Sequence, residues 1–123
     1  MIALALAGCG GGGGGDAAAV RTVVKRWSAA VVQRDNAAAC ADLSVRLREA
    51  IDRHLLGEGV QGKCRDWAAR WVSPRHPASR RGERITSIRV SGRRASVSVE
   101  APGVPGGHAA LIREQGDWRI DDF

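Results

Sequence analysis

Apolar residues recur at three- and four-residue intervals from residue 17 to about residue 72, and from residue 84 onward they alternate with polar ones. Val20, Val23, Val24, Trp27 and Val31 form one stripe at helical spacing, while Arg21, Lys25 and Arg26 fall away from it. The spacing predicts a helix over residues 17–34, capped by Asp16 and broken at Asp35-Asn36. Asn36 is then placed to cap a short second helix through Leu43, and Ser44 a third with Leu47, Ile51 and Leu55 on one face. "GEGVQG" interrupts the periodicity. A fourth helix carries Cys64, Trp67, Ala68 and Trp71 as a stripe, until Ser73-Pro74 stops it. "PRHPASRRGE" reads as a loop.

Residues 84–90 read as a strand, Ser91-Gly92 as a turn, and Ala95, Val97 and Val99 as the inward face of a half-buried second strand. "PGVPGG" is expected to be a longer connection to a third strand, "HAALIRE". Gln115-Gly116-Asp117 turns the chain into a fourth, "WRIDDF". Helices first and an antiparallel meander afterwards specify an α+β domain, with the amino-terminal helices packed on a curved antiparallel sheet.

The chain of 123 residues suits one domain with a modest core, so an extra covalent constraint matters. Its formal net charge of +6 raises nucleic acid, anionic lipid and envelope polymers as partners. Arginine is spread along the chain without aromatic interleaving, tyrosine is absent, and phenylalanine occurs once, so a nucleic-acid partner is not expected. Metal ligands at a recognisable spacing are also missing: there is no C-x-x-C, and His54, His76 and His108 are scattered as surface or partly packed residues. No metal site, catalytic set or cofactor is expected.

One stretch carries a location. Leu6-Ala7-Gly8-Cys9 resembles the bacterial lipobox, in which a peptidase cuts before the cysteine and the thiol carries a diacylglycerol. Small residues before the cysteine fit the protease cleft, the thiol is the acceptor, and the glycines at 10–15 supply a loose tether. Two lipid signals on one cysteine exceed the marginal anchoring of a single chain. Eight residues precede Cys9 and none is Lys or Arg, short of a working export signal, so the expectation is a start assigned late or a clipped sequence. Residues 1–8 are then a truncated signal peptide, 9–16 the lipidated Cys9 and its tether, and 17–123 the folded domain. The protein is expected outside the cytoplasm, held to the cell membrane by lipid.

Cys40 and Cys64 remain, 24 positions apart in helical segments. An oxidising compartment permits a disulfide between them, worth roughly 3 kcal/mol in the chain-entropy model. The alternative is two separate buried thiols.

Three further pieces carry a resemblance: the opening helix with "RDNAAACADLS", the hairpin "ITSIRVSGRRASVSVE", and the ending "LIREQGDWRIDDF". Over residues 17–123 this order is similar to the nuclear transport factor 2-like, or cystatin-like cone, superfamily, and to small actinobacterial lipoproteins of that fold with two cysteines on the helices. The resemblance implies a cone with an interior pocket and frequent homodimerisation through the sheet.

"GEGVQGKC" matches phosphate-loop patterns through Gly57, Gly62 and Lys63, but it follows a helix and has Cys64 where Ser or Thr would hold magnesium, so it is expected to be a helix-to-helix turn. Enzymes of the isomerase type on this cone use an Asp base with a tyrosine-containing oxyanion site, and this chain has no tyrosine. The leading expectation is therefore a membrane-tethered, non-catalytic domain that binds a small apolar ligand or another envelope protein, with Trp27, Trp67, Trp71 and Trp118 as candidate pocket walls. The alternative is an isomerase or cyclase using the cone pocket.

Overall fold

The computed structural model describes residues 6–123, with side chains from Gly15 onward. Helices α1 (Leu6–Val32), α2 (Asn36–Ala41), α3 (Val45–Gly57) and α4 (Cys64–Val72) precede a short 3-10 turn (Pro77–Ser79) and four strands. Strands β1 (Arg84–Ser91), β2 (Arg94–Ala101), β3 (Val104–Glu114) and β4 (Asp117–Asp122) form one antiparallel meander in the order β1-β2-β3-β4. The architecture is the expected α+β arrangement, helices against one face of a curved sheet.

Helix α1 buries the stripe that its spacing specified: Val20, Val23, Val24, Trp27 and Val31 all lie in the core. It begins earlier than the stripe does. The backbone is helical from Leu6, through the glycines at 10–15. Asp16 is therefore no cap; it lies inside the helix and pairs with Arg113 at 3.3 Å.

Two further caps differ from expectation. Asp35, not Asn36, caps α2, its carboxylate accepting from the Ala38 N–H. Arg34 before it takes the left-handed backbone (φ 61°) that turns the chain out of α1. Asn36 Oδ1 instead accepts from the Ala69 N–H at 2.9 Å and ties α2 to α4. Ser44 caps α3 as expected, accepting from the Leu47 N–H at 3.1 Å.

The link between α2 and α3 shields one sheet edge. Leu43 lies parallel to Ile120 on β4, Ser44 N donates to the Ile120 carbonyl, and Ile120 N donates to the Asp42 carbonyl. Pairing this edge with the protein's own chain removes an aggregation template. Asp42 is buried and takes the Arg26 guanidinium at 2.6 Å, which fastens α1 to the same corner. The Ser44 hydroxyl donates to Asp121 Oδ1 at 2.7 Å, and Arg46 reaches both that carboxylate and the Asp121 carbonyl.

"PGVPGG" is shorter as a connection than the sequence suggests. Pro102-Gly103 makes the turn, with Gly103 at φ 78°, and β3 has already begun at Val104. β4 pairs with β3 only from Ala110 onward, so Pro105 sits where β3 has a partner on one side and a missing N–H is tolerated. Gly107 is required by close approach: a Cβ there would stand 2.7 Å from Pro77 Cδ. The Pro77 turn thus lies directly on the sheet.

Candidate functional site

The space a cone would leave open is occupied by the protein's own side chains. Trp27, Leu43, Ile51, Leu111 and Ile120 are among the largest side chains fully withdrawn from solvent, and Val97 and Val99 of β2 belong with Val20 and Val24 of α1 to one continuous core. The four tryptophans do not converge on a cavity. Trp27 and Trp118 are core residues, whereas Trp67 and Trp71 flank α4, half-buried. The buried face of α4 is Cys64, Ala68, Ala69 and Val72, one step round the helix from the expected stripe. The small alanines allow α4 to pack closely, and the larger indoles are left at the margin. Trp67 Nε1 donates to the Gln61 carbonyl at 2.9 Å, and the Arg70 guanidinium lies 5.3 Å from its ring. The Trp71 ring meets His54 edge-on at 4.2 Å and carries Arg75 at 3.8 Å.

Cys40 and Cys64 form a disulfide, with their α-carbons 5.6 Å apart. The bridge joins α2 to the first turn of α4, and α3 meets it there, since Asp52 Oδ1 accepts from the Cys64 N–H at 2.7 Å. Both cysteines are buried. Disulfides persist in oxidising compartments, so the bridge fits a domain outside the cytoplasm. No helix among the described residues is long and apolar enough to cross a membrane. The Cys9 side chain, the expected site of lipidation, lies outside the described residues.

His76 is buried more deeply than the surface or partly packed placement expected of it. It is 5% exposed, and its ring lies 5.2 Å from Trp27 and 6.0 Å from Phe123. Nδ1 accepts from the Ala78 N–H at 3.1 Å, which puts the proton of the neutral ring on Nε2, and Nε2 has no hydrogen-bond partner. Burial pulls its pKa down, against the favourable pull of the His108 backbone. The signal in the sequence is proline on either side: Pro74 and Pro77 fold "SPRHPAS" back onto the sheet. A neutral buried imidazole ties stability to pH. The unfolded chain takes up the proton near pH 6.5 and the folded one only at lower pH, so stability is full above that value and falls as pH drops below it. Between pH 7 and 5 the wild type should lose stability relative to His76→Phe, by at most about 1.4 kcal/mol per pH unit. Urea midpoints of the two proteins across that range check it. Glu83, raised by burial, has the opposite slope, and the comparison cancels it.

The grooves with distinct chemistry lie on the outside. One, of about 510 Å³, runs along the α3–α4 connection beside Leu56 and Val60. Leu56 is 79% exposed, the most exposed large apolar side chain among the described residues. "GEGVQGKC" forms part of its wall as a helix-to-helix turn, and Gly62 (φ 114°) lets the Trp67 indole lie against the backbone. The other, of about 470 Å³, lies between α1 and the segment entering β1. Arg21 and Lys25 line it from α1, and Arg80, Arg81 and Arg84 from the facing segment. The carboxylate in its wall is Glu83, which accepts from the Ser28 hydroxyl at 3.1 Å. In sequence this segment reads as plain loop, and the Arg80-Arg81 doublet before Gly82 is the signal that marks it.

Among the described residues no group of three or more His, Cys, Asp or Glu side chains is placed to hold a metal ion. Compared with known proteins, the chain matches no family model, no curated protein and no solved structure.

Proposed function

We propose that this protein is an extracytoplasmic domain of the nuclear transport factor 2-like type, tethered to the cell membrane by lipid on Cys9, which binds without catalysing. The observation that carries this reading is the filled interior: with Trp27 and its neighbours occupying the cone, recognition is left to the outer surface. The disulfide supports the location, and the order of helices and meander supports the family. An envelope protein or a small apolar ligand would meet this chain at the groove beside Leu56 and Val60, where apolar surface is exposed. The homodimer that the resemblance implies would use the outer sheet face, where Arg94 and Ser96 alternate with buried Ala95 and Val97. An isomerase or cyclase would need an acid or base presented to open space; His76 borders a groove of about 320 Å³ beside Arg75 and Gly107, but its ring is buried and packed against Trp27.

Intact-mass spectrometry of the cell product tests the anchor. The expected mature species is acylated at Cys9, recovered with membranes and crosslinked between Cys40 and Cys64, and Cys9→Ser should move it to the soluble fraction. An unacylated product free of membranes in the wild type would remove the anchor and its location together.

A further inference from the structure

The groove between α1 and the β1 entry gathers five basic side chains, Arg21, Lys25, Arg80, Arg81 and Arg84, against one carboxylate, Glu83. Arg26, Arg46, Arg84, Arg113 and Arg119 each have a carboxylate partner. Arg21, Lys25, Arg80 and Arg81 have none among the described residues, as is true of other arginines scattered over the surface, but these four line one groove together. Like charges gathered in a concave surface reinforce one another's potential and draw in anions. Arg21 and Lys25 stand one helical turn apart on α1, a spacing at which like charges mildly oppose the helix.

The facing wall is pre-organised. The Arg80 carbonyl accepts from the Glu83 N–H at 3.3 Å, closing a four-residue turn in which Gly82 takes φ 82°. The Ser79 hydroxyl, bonded to the Ser73 and His76 carbonyls, braces the residue before it. The two arginines therefore leave a fixed turn. Glu83 is withheld from them: its carboxylate accepts from the Ser28 hydroxyl at 3.1 Å and forms no salt bridge with any of these side chains. The groove also has apolar walls, at Ala29 and Val32 of α1 and Ile85 of β1. At about 470 Å³ it is larger than one phosphate requires and lies within the range of small-molecule sites.

We propose that this groove binds an anionic amphiphile through its phosphate, the head held by Arg21, Lys25, Arg80 and Arg81 and the apolar part laid along Val32 and Ile85. Arginine forks suit a phosphate because they address two of its oxygens at once. The ligand is the headgroup of a membrane phospholipid or a free phosphorylated amphiphile of the same chemistry. This gives a partner class to the surface-binding reading above and rests on it only for the exported setting: loss of acylation at Cys9 would remove the anchor and leave the groove's affinity unchanged.

The test uses the full chain with Cys9→Ser and an intact disulfide. Its binding is measured to vesicles of phosphatidylglycerol in phosphatidylcholine, to phosphatidylcholine alone, and to soluble dihexanoyl phosphatidylglycerol. Arg80→Gln with Arg81→Gln should weaken binding roughly twenty-fold. A control of equal charge, Arg65→Gln with Arg70→Gln, should change it less than about twofold, because that pair lies outside the groove. Glu83→Gln should tighten binding. Vesicle binding with competition by the soluble lipid identifies a membrane headgroup; soluble lipid binding without vesicle binding identifies a free amphiphile. Equal losses in both double variants, or vesicle binding that the soluble lipid cannot displace, would mean a diffuse charge effect and overturn the site.

Discussion

Trp27→Ala is expected to cost about 3–5 kcal/mol and to leave the domain marginal at 37 °C. Trp27 is fully buried, and its ring lies 5.2 Å from His76 and 5.5 Å from Phe123, so one indole holds α1 to the turn before β1 and to the carboxyl-terminal residue of the chain. Truncation removes a large apolar surface and leaves a cavity that three separate elements would have to close. Pro77 lies so close to Gly107 that the turn cannot move toward the sheet without backbone displacement. The relaxation that softens cavity mutants elsewhere is therefore restricted here. Trp27 Nε1 has no hydrogen-bond partner, so Trp27→Phe removes no polar contact and should cost markedly less than alanine. Chemical denaturation of the two variants separates these effects. A loss under about 1 kcal/mol for alanine would mean that the interior is not packed as described, and the surface-binding reading would lose its support.

The second large effect belongs to the disulfide. Cys40→Ser with Cys64→Ser should lower stability by about 3 kcal/mol, the loop-closure value for a separation of 24 residues. In thermal terms this is a fall in Tm of roughly 10–20 °C for a domain of this size. The bridge stands where α2, α3 and α4 meet, and the Asn36–Ala69 and Asp52–Cys64 hydrogen bonds converge on the same corner. The serine variant should therefore loosen the helical layer first. Amide exchange should rise in α2 and α4 before it rises in β2 and β3, whose core is held by α1. The same comparison bears on location: if reduced and oxidised protein melt together, the bridge contributes nothing, and the argument from compartment weakens with it.

The amphipathic stripe of α1 was legible in the chain, because 3.6-residue periodicity fixes which side chains share a face. The alternation through Ala95, Val97 and Val99 was equally legible, and β2 buries those three residues. Ser44 as a cap, the turn at Gln115-Gly116 and the α+β class followed from local chemistry in the same way. The spacing of Cys40 and Cys64 left both a bridge and two free thiols open. Only their placement on α2 and α4, with α-carbons 5.6 Å apart, decided between them.

What local patterns could not carry was set by contacts distant in sequence. Four tryptophans look alike along the chain, yet two became core and two became rim. That outcome depends on α4 facing α2 with its alanines, which no window of a dozen residues encodes. His76 is buried because its loop lies on β3, where Gly107 leaves room for Pro77. The basic groove exists because the segment after α4 returns beside α1 and sets Arg80 and Arg81 opposite Arg21 and Lys25, some sixty residues apart in the chain. Periodicity determines which face of an element is apolar; packing determines which faces meet, and with them the closed interior and the gathering of unpaired charge.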